Sequence, residues 1–313
     1  MSSELKQGLN SVEVTGVVKE NKLEDNKNDK GNFINGSLII KTGEFSNVEV
    51  KVFVSEFTKK GKQDLRYSIL KQIALGELPT IADGATEEEA VKVSIWSDNN
   101  KFSAGFKEDI FKPKNSAKVV TKVNIDLGLG KFEINNKIKP EDYKAKFDVD
   151  VYVDKIKEEI KNEEETGRVV VSGYIPAYGG RVIPIEMVAG IVKDKDDNDF
   201  DFAEQFRTDV DEGTPLRLYG AINFQEIIEK KKVGGVLGMA KIEETKKYVS
   251  DLVLVGGDSS TVKINEEAIK DALAERDIKI KEIENKGSKG VGLKNKLATS
   301  KSSVKIDPND IPF

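Results

Sequence analysis

The chain has 313 residues, of which 38% are apolar and 34% charged, and its 50 basic and 55 acidic side chains give a net charge of −5. This length suits about two domains, and the negative charge means that any surface for nucleic acid must be a local basic patch. Neither cysteine nor histidine occurs, which excludes disulfides, thiolate nucleophiles, Cys-ligated zinc and the side chain most often used as a general base.

The first 126 residues predict a small β domain with one helix. The predicted elements are strands at 11–20, 33–42 and 48–54, a helix within 57–74, and strands at 91–96, 101–106 and 118–125. The helix rests on Leu65, Ile69 and Ile73, which recur at helical spacing. Three strands, a helix and further strands are the order of a five-stranded OB barrel, although the pattern alone also allows another small β-barrel.

The second half predicts the same order of elements, after a connector at 127–146. The predicted elements are a strand at 147–155, two β segments within 167–188 joined by a turn at 177–180, a helix at 201–209, and strands at 216–222 and 248–255. Sequence identity between the halves is low, so the repeat is one of topology.

A helix and a polar tail complete the predicted elements. Asn265 is a suitable N-cap, and Ala268, Ile269, Ala272 and Leu273 form the apolar stripe of a helix that ends near Asn285. This helix would pack on the second domain (147–285) or on another subunit. Residues 286–306 are rich in Lys, Gly and Ser and predict a flexible, disordered linker.

The last residues, 307–313, combine carboxylates with an apolar end. Asp307 and Asp310 precede Ile311, Pro312 and Phe313, a composition suited to an apolar pocket with a basic rim on another protein. This ending resembles the C-terminal tip of bacterial and bacteriophage single-stranded-DNA-binding proteins, which finish in Asp-Ile-Pro-Phe. It has two carboxylates where the family has more. The resemblance implies OB-fold domains that hold the strand and a tip that recruits replication and repair proteins.

With this resemblance, the predicted fold class is mainly β, with two tandem OB-like barrels, a few helices and a disordered tail. Single-strand binding requires cations beside exposed aromatic faces. In the strand at 91–96, Val93 and Ile95 face the core, which places Lys92 and Trp96 on the other face. The candidates for strand binding here are Lys92, Trp96, Lys101, Phe102, Phe106 and Lys107. Trp96 could instead cover an open barrel end or contact a second subunit.

The second half supplies a further candidate set, around the turn at 177–180 and on the outer face of a later strand. Its members are Tyr174, Tyr178, Arg181, Arg217 and Tyr219. Tyrosines at such a turn could equally cap a barrel. Phe33, Lys51 and Phe53 form another set, unless Phe53 is buried beneath the first helix.

The sequence predicts a non-enzymatic protein without cofactor or metal, because its acidic loops and Gly-rich segments lack the spacing of calcium and phosphate loops. The expected function is to coat single-stranded DNA in replication, recombination and repair, while the tip recruits partner proteins. The alternatives are a recombination or replication mediator, or a structural β protein. No apolar segment long enough to span a membrane occurs, so the expected compartment is the cytoplasm of a bacterium or of a phage's host. Monomer and homo-oligomer both remain open.

Overall fold

The computed structural model describes residues 5–98, 103–114, 116, 118–161, 163–193, 198–233 and 241–286; for 225–233, 241–249 and 286 it describes the backbone alone. Within these residues the chain is mainly β with three α-helices, as the sequence predicts. Residues 287–306 of the predicted linker and the tip at 307–313 lie outside them. No helix in the described part is both long and apolar enough to span a membrane.

The described residues of the first half form eight strands and one α-helix. They are β1 (Asn10–Asn21), β2 (Glu24–Asn28), β3 (Gly31–Lys41), β4 (Asn47–Ser55), α1 (Leu65–Ala74), β5 (Lys92–Trp96), β6 (Gly105–Phe111), β7 (Val120–Asp126) and β8 (Lys131–Ile134). Strand β2 lies between the predicted strands at 11–20 and 33–42, and β8 lies within the predicted connector.

The described residues of the second half form seven strands and two α-helices. They are β9 (Lys144–Lys161), β10 (Glu164–Ala177), β11 (Arg181–Ala189), β12 (Ile191–Lys193), β13 (Asp199–Asp201), α2 (Phe202–Asp209), β14 (Pro215–Val233), β15 (Lys241–Ser259) and α3 (Glu266–Lys286). The turn between β10 and β11 depends on Gly179 and Gly180, which have φ of 74° and 70°, a region that side chains other than glycine rarely adopt.

Thirteen of these strands belong to one sheet, and β12 and β13 form a separate pair. In the first half, β1 pairs with β3 and β5, β3 with β2 and β4, β7 with β4 and β6, and β5 with β8. In the second half, β9 pairs with β10 and β14, β10 with β11, and β14 with β15, while β11 runs parallel to β15. Each of these last five strands therefore has two neighbours within the half.

The two halves are joined by β1 and β9, which pair antiparallel from Asn10 opposite Val149 to Thr15 opposite Lys144. The sequence predicts two tandem barrels, whereas the structure joins strands of both halves in one sheet. Strand β1 is long enough for one part of it to pair with β9 while another pairs with β3. Such pairing satisfies backbone groups that a strand edge would otherwise expose.

The core is also shared between the halves. Buried apolar side chains of both halves form one continuous cluster, and Phe106 packs edge-on against Phe147 with 6.2 Å between ring centroids. The predicted connector belongs to the sheet, because β8 pairs with β5 and the segment ends within β9.

The helices cover selected parts of the sheet. The buried face of α1 consists of Tyr67, Leu70 and Ile73, whereas Leu65 is 80% exposed, so the predicted apolar stripe is wrong at Leu65. The predicted cap of α3 is confirmed: the Asn265 side chain accepts a hydrogen bond of 2.8 Å from the backbone N–H of Glu267.

Candidate nucleic-acid interface

A groove of about 1130 Å³ lies between the two halves, and we call it the inter-half groove. Residues of β1, β3, β4, β6 and β7 form one wall, and residues of β9, β10, β11, β14 and β15 form the other. The groove is therefore a product of the joined sheet, since each wall comes from a different half of the chain.

Lysines line both walls of this groove. Lys19, Lys22 and Lys122 lie on the first wall, and Lys155 and Lys157 lie on the second. Lys22 lies 3.4 Å from Glu20, and Lys122 lies 3.9 Å from Glu49. Lys155 and Lys157 are exposed and have no carboxylate partner within the described residues.

Four carboxylates moderate the positive charge of the groove: Glu20, Glu49, Asp154 and Glu186. Burial alone would raise the pKa of Glu49, but a hydrogen bond from Ser37 and the charges of Lys51, Lys122 and Lys22 outweigh burial and lower the pKa. Glu49 is therefore ionised at neutral pH. With five lysines and four acids, the inter-half groove has a small net positive charge.

Apolar and aromatic groups lie between these charges. Tyr174, Phe224 and Ile39 contribute partly exposed surface, while Phe106 is only 5% exposed. Burial, with the charge of nearby Asp154, raises the pKa of Tyr174. The phenol therefore stays neutral and can present a ring face and a hydrogen-bond donor at once.

The outer face of β3 and β4 continues away from the groove and bears an aromatic pair. Phe33 and Phe53 have ring centroids 5.4 Å apart, and Phe53 is 57% exposed. The alternative in which α1 buries Phe53 is therefore wrong. Ile39 and Glu49, which are cross-strand neighbours on the same strands, line the groove.

A second cavity of about 360 Å³ lies between β6, the β10–β11 turn and α3, and we call it the α3 cleft. It brings together four residues that the sequence singles out, namely Phe106, Lys107, Tyr178 and Arg181. The first two come from one half and the last two from the other, so a shared site for them could not be read from sequence spacing.

The charges around the α3 cleft are partly paired. Lys107 is exposed and lies 3.0 Å from Asp126. The Arg181 Nε donates to the backbone oxygen of Tyr178 at 3.0 Å, and Arg181 has no carboxylate partner in the described part of the chain. The same holds for exposed Lys279 of α3.

Several predicted residues lie outside both cavities. Lys92, expected to be exposed, is only 9% exposed, and Trp96 is half-buried. Strand β5 is an interior strand, in which Lys92 lies opposite Val17 of β1 and Trp96 lies opposite Lys131 of β8, and such cross-strand neighbours contact each other on the same face. Phe106 was also expected on the surface; it lines both cavities but is only 5% exposed and belongs to the shared core.

Arg217 and Tyr219 are engaged within the second half. Arg217 forms a two-pronged ion pair with Asp148, at 2.8 and 2.5 Å, and this contact raises the pKa of the guanidinium. The Tyr219 ring covers the backbone at Gly256. Lys101 and Phe102 lie outside the described residues, as do Asp307, Asp310, Ile311, Pro312 and Phe313.

Alternation in the sequence could not identify the groove lysines of β9. Every second residue from Val149 to Val153 is fully buried, and the same alternation would place Lys155 and Lys157 in the core. The pairing of β9 with β10 shifts register at Asp154, and such a bulge turns the following side chains to the other face. Both lysines therefore face outward.

A match to a protein-family model covers both halves of the structure. A family model described as YorF matches residues 8–286. The chain belongs to the YorF family. The match covers both halves and α3 and ends at the last residue of that helix, so the predicted tip lies beyond it. No curated protein matches the chain.

Proposed function

We propose that this YorF-family chain binds single-stranded DNA in the inter-half groove and protects it, without catalysis, during replication, recombination and repair. The observation that carries the proposal is the groove itself, in which five lysines from two facing walls flank Tyr174, Phe224 and Ile39. Lysines can contact successive phosphates while unpaired bases stack on aromatic and apolar surfaces. The expected compartment is the cytoplasm, where such strands arise.

We further propose that each half is an OB-like unit. In support, the second half follows the OB strand order, with β9–β10–β11 in sequence, α2 before β14, and β15 parallel to β11. OB folds bind oligonucleotides on the face of their second and third strands. The corresponding strands are β3 and β4 in the first half and β10 and β11 in the second, and all four line the groove.

The charge of the groove predicts moderate salt dependence. Log affinity falls with log salt by about 0.7 for each phosphate neutralised on a single strand, so five lysines set an upper limit of about 3.5. Glu20, Glu49, Asp154 and Glu186 lie in the same groove and should reduce the slope further. Aromatic stacking, at about 1–3 kcal/mol per base, would then provide much of the affinity.

The direct test is a fluorescence-anisotropy titration with single- and double-stranded oligonucleotides over a series of salt concentrations. The single strand should bind more tightly, and Lys155→Gln with Lys157→Gln should lower the salt slope by about 1.4. The matched control replaces Lys137 and Lys263, which are exposed and line neither cavity. Equal binding of both DNA forms, or weak binding as a mediator would show, would overturn the proposal.

We also propose that residues 307–313 recruit partner proteins, an inference supported by their resemblance to the tip of single-stranded-DNA-binding proteins. The experiment compares recovery of replication and repair proteins by the intact chain, a chain lacking 307–313, and Phe313→Ala. Both variants should lose most of the recovery, because Phe313 is the one aromatic residue of 307–313 that could fill an apolar pocket. The same three proteins should bind DNA with similar affinity, and equal recovery by all three would refute this role.

A further inference from the structure

The α3 cleft is the continuation of the inter-half groove. Along β7, residues 122–125 line the groove and Asp126 lines the cleft. Along β11, residues 184–186 line the groove and 181–183 line the cleft. Phe106 lines both cavities. The combined path thus follows β11 for six residues, about 17 Å at the usual rise of a strand.

The chemistry of the cleft matches that of the groove. Its floor is apolar, because Phe106, Val182, Ile183 and Ala272 are all buried. At its rim, Tyr178 is 58% exposed, and Arg181 and Lys279 form no ion pair within the described residues, although Glu275 of α3 also lines the cleft. An exposed ring beside two available cations suits an unpaired base and its phosphates.

Helix α3 forms the far wall of the cleft and is attached to both halves. Ala268, Ile269 and Ala272 pack against Val182 of the second half. Arg276 holds Glu108 of the first half with contacts of 2.6 and 2.9 Å, and the Glu108 side chain is only 7% exposed. This pair occupies Arg276, and Asp126 holds Lys107 at 3.0 Å, so Arg181 and Lys279 are the cleft cations without an ion pair among the described residues.

We propose that the α3 cleft is a second section of one single-strand track, in which Tyr178, Arg181 and Lys279 contact the strand after it leaves the inter-half groove. This inference rests on the proposed function. It adds a contact from Lys279 of α3, a residue that the sequence does not identify as a candidate for binding. A strand that fills only the groove would not reach α3. A longer strand would gain the contacts of the cleft.

The test compares oligo(dT) of about 4 and about 30 nucleotides, which lie at the lower end of and above the range of about 4–16 nucleotides for one OB unit. At about 3.4 Å per nucleotide, the shorter strand does not span the whole path. The variant Arg181→Gln with Lys279→Gln should lose affinity for the longer oligonucleotide by about 25-fold at 0.1 M salt, since each lost contact removes about 0.7 from the salt slope. Binding of the shorter oligonucleotide should change less than about twofold, within the scatter of a surface substitution. Tyr178→Ala should weaken the longer one again, by about tenfold if one base stacks on the ring.

The controls separate failure of the track from failure of the function. Lys281→Gln also removes an exposed cation from α3 but lies outside the cleft, and it should bind both lengths as the unmodified chain does. If Lys155→Gln with Lys157→Gln weakens binding while the cleft variants do not, the cleft is not part of the track and the proposed function stands. If the unmodified chain binds neither oligonucleotide, both fail. If a synthetic 307–313 peptide binds through Arg181 and Lys279 and oligo(dT) does not displace it, the cleft is a peptide site and the track is refuted.

Discussion

At Glu159, a nearly buried carboxylate is held by several donors. Arg168 contacts it with two nitrogens, at 2.7 and 2.8 Å, and Thr166 and Lys161 add contacts of 2.7 and 3.0 Å. Hydrogen bonds from Arg168 outweigh the effect of burial and, with those of Thr166 and Lys161, lower the pKa of Glu159 from 4.5 to about 2. Arg168 also lies 3.2 Å from Asp251, so this cluster connects β9, β10 and β15.

This pKa predicts a defined pH dependence of stability. A lowered carboxyl pKa stabilises the fold above about pH 4.5, and the contribution disappears as the pH falls toward 2. Glu159→Gln should therefore lower the free energy of unfolding by about 1–3 kcal/mol at neutral pH, and the difference from the unmodified chain should shrink below pH 4.5. Urea unfolding of both proteins at pH 7 and pH 3 measures this difference in the free energy of unfolding. The control, exposed Glu77→Gln, should give curves that overlay at both pH values, and a Glu159→Gln difference that persists at low pH would contradict the assignment.

Asp150 plays a comparable role through hydrogen bonds, with no ion pair among the described residues. It is fully buried and accepts hydrogen bonds from the backbone N–H groups of Leu9 and Thr261 at 2.7 and 2.8 Å and from the Ser260 hydroxyl at 3.0 Å. The Thr261 hydroxyl donates to it as well. One carboxylate thus connects the chain before β1, strand β9 and the loop between β15 and α3.

Removing this carboxylate should be costly. In Asp150→Ala, the buried backbone N–H of Leu9 and the partly buried N–H of Thr261 lose their acceptor, and the free energy of unfolding should fall by about 2–5 kcal/mol. The matched control is Asp148→Ala on the same strand, whose partner Arg217 is 37% exposed; a half-exposed pair contributes less than about 1 kcal/mol. Chemical denaturation of both variants measures which one loses more free energy of unfolding. Equal losses would show that burial of the carboxylate does not determine the size of the loss.

At the scale of the element, the residue pattern of the sequence predicts where strands and helices occur. It predicts less well which of their faces neighbouring elements cover. The valines of β4, the turn at Gly179 and Gly180 and the cap at Asn265 each depend on neighbouring residues, so the sequence is sufficient to predict them. Strand β5 is also predicted, but the exposure of its outer face is not, because that exposure depends on the cross-strand side chains of β1 and β8. The orientation of Lys155 and Lys157 could not be predicted from the sequence, since a bulge at one residue moves all following side chains to the opposite face of the sheet.

The cap of α3 allows a test of how firmly that helix is held. Asn265→Ala removes the acceptor for the backbone N–H of Glu267 and should destabilise α3 by about 1 kcal/mol. Asn265→Asp keeps an acceptor in the same position and serves as the matched control. Hydrogen exchange of α3 amides should accelerate about fivefold in the alanine variant alone, because 1.4 kcal/mol corresponds to a factor of ten. Unchanged exchange would mean that packing on Val182 and the Arg276–Glu108 pair determine the stability of this helix.

At the scale of the whole molecule, strand pairing between the halves creates what neither half contains. The sequence predicts two similar units, but partner choice between distant strands depends on which edges remain unpaired, and this has no local signature. The pairing of β1 with β9 brings β7 opposite β11, and the groove and the cleft both follow from that placement. Residues such as Lys122 and Lys157 therefore belong to one site although neither is conspicuous in the sequence.

The shared sheet and core predict that the two halves unfold together. Phe106 of the first half packs against Phe147 of the second, so loss of either half would expose apolar surface of the other. Trp96 is the only tryptophan, and its fluorescence follows the first half in urea, while hydrogen exchange of β9–β11 amides follows the second half. Both probes should give one midpoint.

Phe147→Ala, which removes a side chain that is only 2% exposed, should lower the free energy of unfolding by about 3–5 kcal/mol and shift the midpoints of both probes equally. Exposed Phe45→Ala is the control and should shift neither. A second half that stays protected after the Trp96 signal has changed would show that the halves are separate cooperative units despite their common sheet.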